Sequence, residues 1–261
     1  MIRSLLIRGM VAGVIAGLLA FGFARTFGEP AVARAIAFEQ AHENHVNPTH
    51  GHEQMAAADA SHDDNGGEEE LVSRPTQAGI GLLTGVVVFG AALGGLFSLV
   101  FAFAYGRLGA LDAHGASALL AVFGFMSMAI VPAMKYPPNP PSIGNPETIG
   151  PRTVLFFVMV ATSIVSMVLA VWLQRRLQAR HGGFNAALMA GTVYVALIVV
   201  ALVGLPTVDE VPVDFSASLL WRFRLASIGI QAVLWTTIGL LFGALATREL
   251  ERPARRKTAV A

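Results

Sequence analysis

Residues 78–105 read AGIGLLTGVVVFGAALGGLFSLVFAFAY, from Ala78 to Tyr105, with no Asp, Glu, Lys, Arg or His in the run. About 20 residues of α-helix rise roughly 30 Å, the thickness of the hydrocarbon core of a bilayer. A run of this length and composition predicts a membrane-spanning helix, because a helix satisfies its own backbone hydrogen bonds where lipid offers none. Its glycines recur at helical spacing, Gly81-x-x-x-Gly85 and Gly90-x-x-x-Gly94. That spacing puts small residues on one face, where a second backbone can approach closely. It predicts packing between helices rather than a pore.

The same texture repeats along the chain. Apolar segments run over about 5–24, with Gly13-x-x-x-Gly17, and about 115–134, 153–173, 185–205 and 225–246, the last with Gly239-x-x-x-Gly243. Composition agrees: 54% of residues are hydrophobic and 13% charged, against about 25% charged in soluble domains. Mean hydropathy is +0.62. The expected fold is an all-α integral membrane protein, a polytopic bundle of about six transmembrane helices forming one membrane domain over 1–261. The chain has no cysteine, which excludes disulfides, thiolate metal sites and Cys catalysis. The first segment follows Arg3 and Arg8, exceeds a typical signal-peptide core and has no small-residue cleavage site before Arg25, so it reads as a retained anchor.

Six crossings put both termini on one side. Of 18 Lys and Arg residues, 11 fall on that side, and 14 of 17 Asp and Glu residues fall opposite. By the positive-inside rule the termini are cytoplasmic, which leaves an acidic external face suited to collecting cations; the expected location is the bacterial inner (plasma) membrane, crossed several times. The basic run Arg252–Lys257 is expected to meet anionic lipid.

The loop over about 39–77 departs from the rest. It is rich in histidine and acid and is expected to be flexible beyond His42, with Asp63-Asp64-Asn65-Gly66-Gly67 as turn chemistry. Five of the seven histidines lie here: His42, His45, His50, His52 and His62. Just before it, Pro30–Gln40 has helical spacing and either continues the first helix or lies at the interface. If Glu39–His45 is helical, Glu39, His42 and Glu43 share a face at i, i+3 and i+4, with His50 and His52 converging from irregular chain. Imidazoles with a carboxylate suit Co²⁺, Ni²⁺, Zn²⁺ or Cu²⁺, and spacing does not choose among these. The candidate metal residues are therefore His42, His45, His50, His52, Glu39, Glu43 and His62, read as a capture loop rather than a rigid site. A solvated linker with incidental metal affinity is the plainer reading.

Other polar features are weaker. The apolar segments contain no His, Asp or Glu, which argues against haem ligation and a carboxylate-based antiporter. Met126, Met128, Met134, Met159 and Met167, with Ser127, Thr162, Ser163, Ser166, Gln231, Thr236 and Thr237, either line a path or fill the core, and core filling is the expectation. Lys135, Arg222 and Arg224 sit at helix ends, where they snorkel to head groups or cap the third loop; pairing with Glu147 or Asp214 is the sharper alternative. No phosphate-binding Gly-Lys loop, catalytic triad or H-E-x-x-H motif is present, so no enzyme activity, tightly bound cofactor or nucleic-acid partner is expected.

The third loop is the most distinctive stretch. Lys135-Tyr136-Pro137-Pro138-Asn139-Pro140-Pro141 is a stiff extended segment, and Ser142–Gly150 is turn chemistry that should form an ordered cap. This segment, its continuation Gly144-Asn145-Pro146-Glu147-Thr148, the Glu39-Gln40-Ala41-His42 stretch and Trp221-Arg222-Phe223-Arg224 before the last helix together resemble the cobalt transporter subunit family CbtA. The resemblance covers most of the chain. It implies cobalt as the ion, a link to cobalamin synthesis, about five crossings and a small single-helix, His-containing membrane partner, CbtB-like. Two functions follow: a divalent-metal uptake subunit in which the loop gathers the ion and the bundle passes it inward, or a non-transporting scaffold or metal-sensing accessory protein.

Overall fold

Three pairs of α-helices are joined end to end through a widened turn, and two of those turns have a proline just beyond them. The computed structural model describes residues 2–46, 73–141 and 143–258. Helix α1 (Ile2–Phe23) passes through a π-turn (Ala24–Gly28) into α2 (Glu29–Val46) with helical backbone throughout. The short α3 (Arg74–Thr76) passes through a second π-turn (Gln77–Gly81) into α4 (Leu82–Ala104). Helix α5 (Ala113–Phe125) continues through a third (Met126–Ile130) into α6 (Val131–Lys135). Pro30 and Pro132 lack an N–H, and their rings press on the carbonyl four residues back, at Thr26 and Met128. Both carbonyls lie inside a π-turn, which widens the helix and relieves the clash. The remaining elements are a 3₁₀ turn (Pro146–Thr148), the long α7 (Ile149–Gly204) and α8 (Ala217–Thr258). No strand occurs among the described residues.

Five stretches are long and apolar enough to cross a membrane: Ile2–Ala41, Arg74–Ala104, Ala113–Lys135, Ile149–Gly204 and Ala217–Glu251. Four of them contain one expected segment each. The fourth, α7, contains both 153–173 and 185–205. It is broken at Gly182, where φ 75° and ψ 164° leave the helix, a backbone state open mainly to glycine. The Ser163 and Tyr194 hydroxyls lie 3.3 Å apart, although 31 residues of unbroken helix would rise roughly 46 Å. The chain therefore reverses, and α7 is a hairpin of two limbs, 149–181 and 183–204. Val131 on α6 packs with Met159 on one limb and Ile198 on the other.

Helices α1 and α4 make the closest contact. A Cβ on Gly13 would lie 2.0 Å from the Gly90 carbonyl oxygen, and one on Gly94 would lie 2.1 Å from that of Gly9. The expected Gly13/Gly17 and Gly90/Gly94 pairs thus face one another, with Gly9 extending the seam. Gly85 has nothing within 4 Å of an added Cβ, so the Gly81/Gly85 pair takes no part. Helices α5 and α8 meet in the same way: the Ser117 hydroxyl donates to the Gly239 carbonyl at 2.7 Å, and Gly124 leaves room for the Trp235 ring. Between the two pairs, Phe242 stands edge-on to Phe97 and Phe101, with centroids 5.5 and 5.0 Å away, the preferred arrangement of aromatic quadrupoles.

Charges sort to two ends. At the terminal end Arg8 pairs with Glu249 at 2.5 Å, and the Ser4 hydroxyl donates to the same carboxylate at 2.8 Å. At the opposite, loop end Arg74 pairs with Glu29 at 3.0 Å, and Arg25 donates to the Ala78 carbonyl at 3.1 Å. Replacing Gly13 or Gly90 with leucine should separate α1 from α4. Forced overpacking typically costs about 1–3 kcal/mol, so the thermal midpoint of the purified protein in detergent should fall by several degrees. Gly85→Ala should leave it unchanged.

Candidate functional site

The stiff segment after α6 is pinned at both sides. Lys135, the last residue of α6, donates its ammonium to the Leu202 carbonyl at 2.7 Å and the Thr207 hydroxyl at 3.2 Å, capping carbonyls left open at the end of the second α7 limb. The Tyr136 hydroxyl donates to the Pro206 carbonyl at 2.7 Å. Arg224, near the start of α8, donates to the Asn139 side-chain oxygen at 2.9 Å. The prolines hold the backbone extended between these anchors. The expectation that a basic residue caps the third loop is met by Lys135 and Arg224, through a neighbouring carbonyl and an amide rather than through Glu147.

The following turn is built around one arginine. Gly144 has φ 118°, and a Cβ there would fall 2.1 Å from the Arg152 guanidinium, so glycine is required both by conformation and by space. Arg152 reaches the Asn145 carbonyl and the Glu210 carboxylate, each at 3.3 Å. The Asn145 N–H donates to Glu210 at 2.9 Å. The Thr148 hydroxyl beside it, this N–H and Arg152 together hold the Glu210 carboxyl below the usual glutamate range.

These anchors enclose a cavity of about 460 Å³ at the loop end. Its polar lining comes from Arg152, Asp209, Glu210, Arg224, Gln231 and Asn139, and its apolar lining includes Met128, Ala133 and Phe156. Helix α2 backs one wall. Ala35 packs with Ile143 and Phe215, and the Phe38 ring meets Phe215 edge-on at 5.1 Å; Ile143 also lines the cavity.

Of the metal residues expected from sequence, Glu39 and the backbone of His42, Glu43 and His45 fall among the described residues. Helix α2 runs to Val46, so the first part of the expected loop is helical, and Glu39, His42 and Glu43 share a face by backbone register. Glu39 is exposed. The side chains of His42, Glu43 and His45 lie outside the described residues, as do His50, His52 and His62 entirely. Among the described residues no group of three or more His, Asp or Glu side chains is close enough to hold a metal.

Of the hydroxyls expected to bond within their own helix, Thr162 donates to the carbonyl four residues back, as do Thr192, Ser227 and Thr247, whereas the Ser163 hydroxyl meets that of Tyr194 and the buried Ser127 hydroxyl has no partner among the described residues. Met159 is fully buried in the core. Met128 and Gln231 instead reach the cavity. Arg152, Asp209 and Glu210 were not singled out by sequence. A signal existed for Arg152: a cation in the first turn of a helix opposes the macrodipole and implies a partner.

The CbtA family model, described as a probable cobalt transporter subunit, matches residues 2–247. The chain belongs to the CbtA family. The family, with five stretches apolar enough to span a bilayer, makes this a multi-pass membrane protein and a subunit of a metal transporter. Neither the curated proteins nor the solved structures contain a match. Of the stretches that carry the CbtA resemblance, Tyr136, Pro137, Pro138 and Asn139 line this cavity together with Arg224 from the 221–224 stretch, and 144–148 lies between the lining residues Ile143 and Ile149.

Glu210 predicts an acid sensitivity. A lowered pKa in the folded state means that folding favours the ionised form. That stabilisation is complete above the ordinary value of 4.5 and is lost as pH falls through the lowered one. The thermal midpoint should therefore drop as pH is taken below 4.5, and Glu210→Gln should flatten that drop. An equal acid loss in both proteins would show that the carboxylate does not hold the loop.

Proposed function

We propose that the chain is the membrane-embedded subunit of a divalent transition-metal uptake system, with cobalt as the ion, whose external His/acid loop gathers the ion and whose bundle passes it inward. The observation that carries this reading is the mounting of α2. One continuous helix runs from the α1/α4 seam to Val46, and Phe38 and Ala35 seat it against the cavity wall. His42 lies one helical turn, about 6 Å of rise, beyond Phe38. The start of the His/acid stretch thus continues from a helix seated on Ile143, a residue of the cavity lining. The histidines and acids His42, His45, His50, His52, His62, Glu39 and Glu43 supply exchangeable nitrogen and oxygen ligands, with Co²⁺ as cargo and Ni²⁺, Zn²⁺ or Cu²⁺ as competitors.

The break at Gly182 supports six crossings, with each α7 limb spanning once. Both termini are then on one side, the cytoplasmic one by the excess of basic residues there, in a bacterial plasma membrane. The family description as a subunit supports a partner, which we take to be a small single-helix, His-containing CbtB-like protein.

Cells carrying this chain and its partner should accumulate radioactive cobalt. Alanine at His42, His45, His50 and His52 together should cut the initial rate at sub-saturating cobalt severalfold while leaving the protein level in the membrane unchanged. Undiminished uptake by that variant would remove the loop from the mechanism. Cobalt binding without any uptake would favour the accessory-protein reading. Cysteine labelling at Ser61 from outside intact cells, and at Arg180 only after permeabilisation, checks the topology.

A further inference from the structure

The cavity at the loop end is poorly made for a bare divalent cation. Its charged lining is two arginines and two carboxylates, so its charges balance and it is not an anionic cage. Glu210 is already engaged by Arg152 and the Asn145 N–H. A hydrated divalent ion gives up its water only to several oxygen or nitrogen ligands, and Asp209 alone cannot replace that shell. The space is a partly open cleft that, at about 460 Å³, has room for more than one bare ion.

Donors, by contrast, are in excess. A guanidinium has five N–H donors. Among the described residues Arg224 has one hydrogen-bond acceptor, Asn139. Arg224 lines the cavity, and its guanidinium therefore keeps N–H groups with no acceptor among the described residues. The two arginines come from different helices, α8 and the first turn of α7. The N–H groups of that first turn add the positive end of a helix dipole to the same wall, where Ile149, Arg152 and Thr153 border the cavity. Planar guanidinium pairs suit carboxylates bidentately, and the Met128, Ala133 and Phe156 wall suits a carbon skeleton.

We propose that this cavity binds a small organic polycarboxylate, and that the transported ion enters it as the carboxylate complex rather than as the aqueous ion. The proposal rests on the uptake reading above and names the chemical form of its cargo. Arg152 and Arg224 hold the free carboxylate oxygens of the complex. The metal remains ligated by the same molecule, so the protein need not supply an anionic cage.

The test uses the full chain in nanodiscs and citrate as the probe, titrated calorimetrically with and without equimolar cobalt. Wild type should bind citrate, and cobalt–citrate at least as tightly. Arg224→Gln and Arg152→Gln should each weaken binding about tenfold or more, in line with the loss of a charge-assisted pair. Ala133→Phe, which fills the cavity without touching a charge, should weaken it as well and guards against misfolding of the arginine variants. No citrate binding by wild type, or equal binding by wild type and Ala133→Phe, overturns the proposal. Uptake separates it from the reading it rests on. Cobalt accumulation that excess citrate abolishes refutes the carboxylate form while leaving the transporter standing. Accumulation that persists in citrate and is lost in Arg224→Gln supports it.

Discussion

The closest approach in the molecule, the bare backbone contact of Gly9, Gly13 and Gly17 with Gly90 and Gly94, sets the position of everything at the loop end. In lipid, helices gain nothing from hiding apolar surface, so association rests on van der Waals contact and hydrogen bonds. Side-chain-free seams deliver the most contact per residue. With α1 fixed against α4, the single helical line from Ile2 to Val46 has a fixed direction, and the His-bearing end of α2 is placed by a seam more than 20 residues away. The Arg25 and Arg74 bonds at the loop end lock the two helices in register where they leave the apolar region.

A second body is attached more lightly. The α7 hairpin packs on the rest mainly through α6 and the π-turn Met126–Ile130, together with Lys135, Tyr136 and Arg152 at the loop end. The cavity lies between the two bodies, with Arg152 and Phe156 from the hairpin and Arg224 and Gln231 from α8. Its rim is made of hydrogen bonds from long flexible side chains, and its floor of apolar packing. Such a rim is the part of a bundle that opens at least cost, and the floor is the part that stays shut.

Much of the fold was legible because lipid permits so few solutions. A run such as 78–105 has only one satisfactory backbone form, and glycine spacing named the α1/α4 and α5/α8 seams. Spacing failed for Gly81/Gly85 because helical periodicity shows that small residues share a face, and not that a partner faces them. The expected segments 153–173 and 185–205 stand as the two limbs of α7, and the reversal between them turns on Gly182, a single residue that apolar periodicity does not single out. The site was less legible. The Pro-rich segment announced an ordered cap, yet the chemistry under it depends on Arg152, Glu210 and Arg224, separated by 58 and 14 residues in sequence, and no local pattern links them. Only the unfavourable cation in the first turn of α7 hinted that something acidic lay opposite.

The apolar segments 5–24, 78–105, 115–134, 153–173, 185–205 and 225–246 carry no His, Asp or Glu, and this bears on how a divalent ion could cross at all. Transfer of an unpaired small ion out of water costs tens of kcal/mol in an apolar medium. Hydroxyls already bonded to their own helix, such as Thr162 and Thr192, offset little of that. The ionisable groups instead stand at the two ends, Arg152, Glu210 and Arg224 at one and Arg8 and Glu249 at the other. Between Arg224 and Glu249 lie 25 residues of α8, roughly 37 Å of rise. Whatever neutralises the ion over that distance must come from a partner or travel with the ion. A cargo that brings its own carboxylates meets this constraint with the residues the chain has, and accounts for a cavity whose spare capacity is in hydrogen-bond donors rather than acceptors.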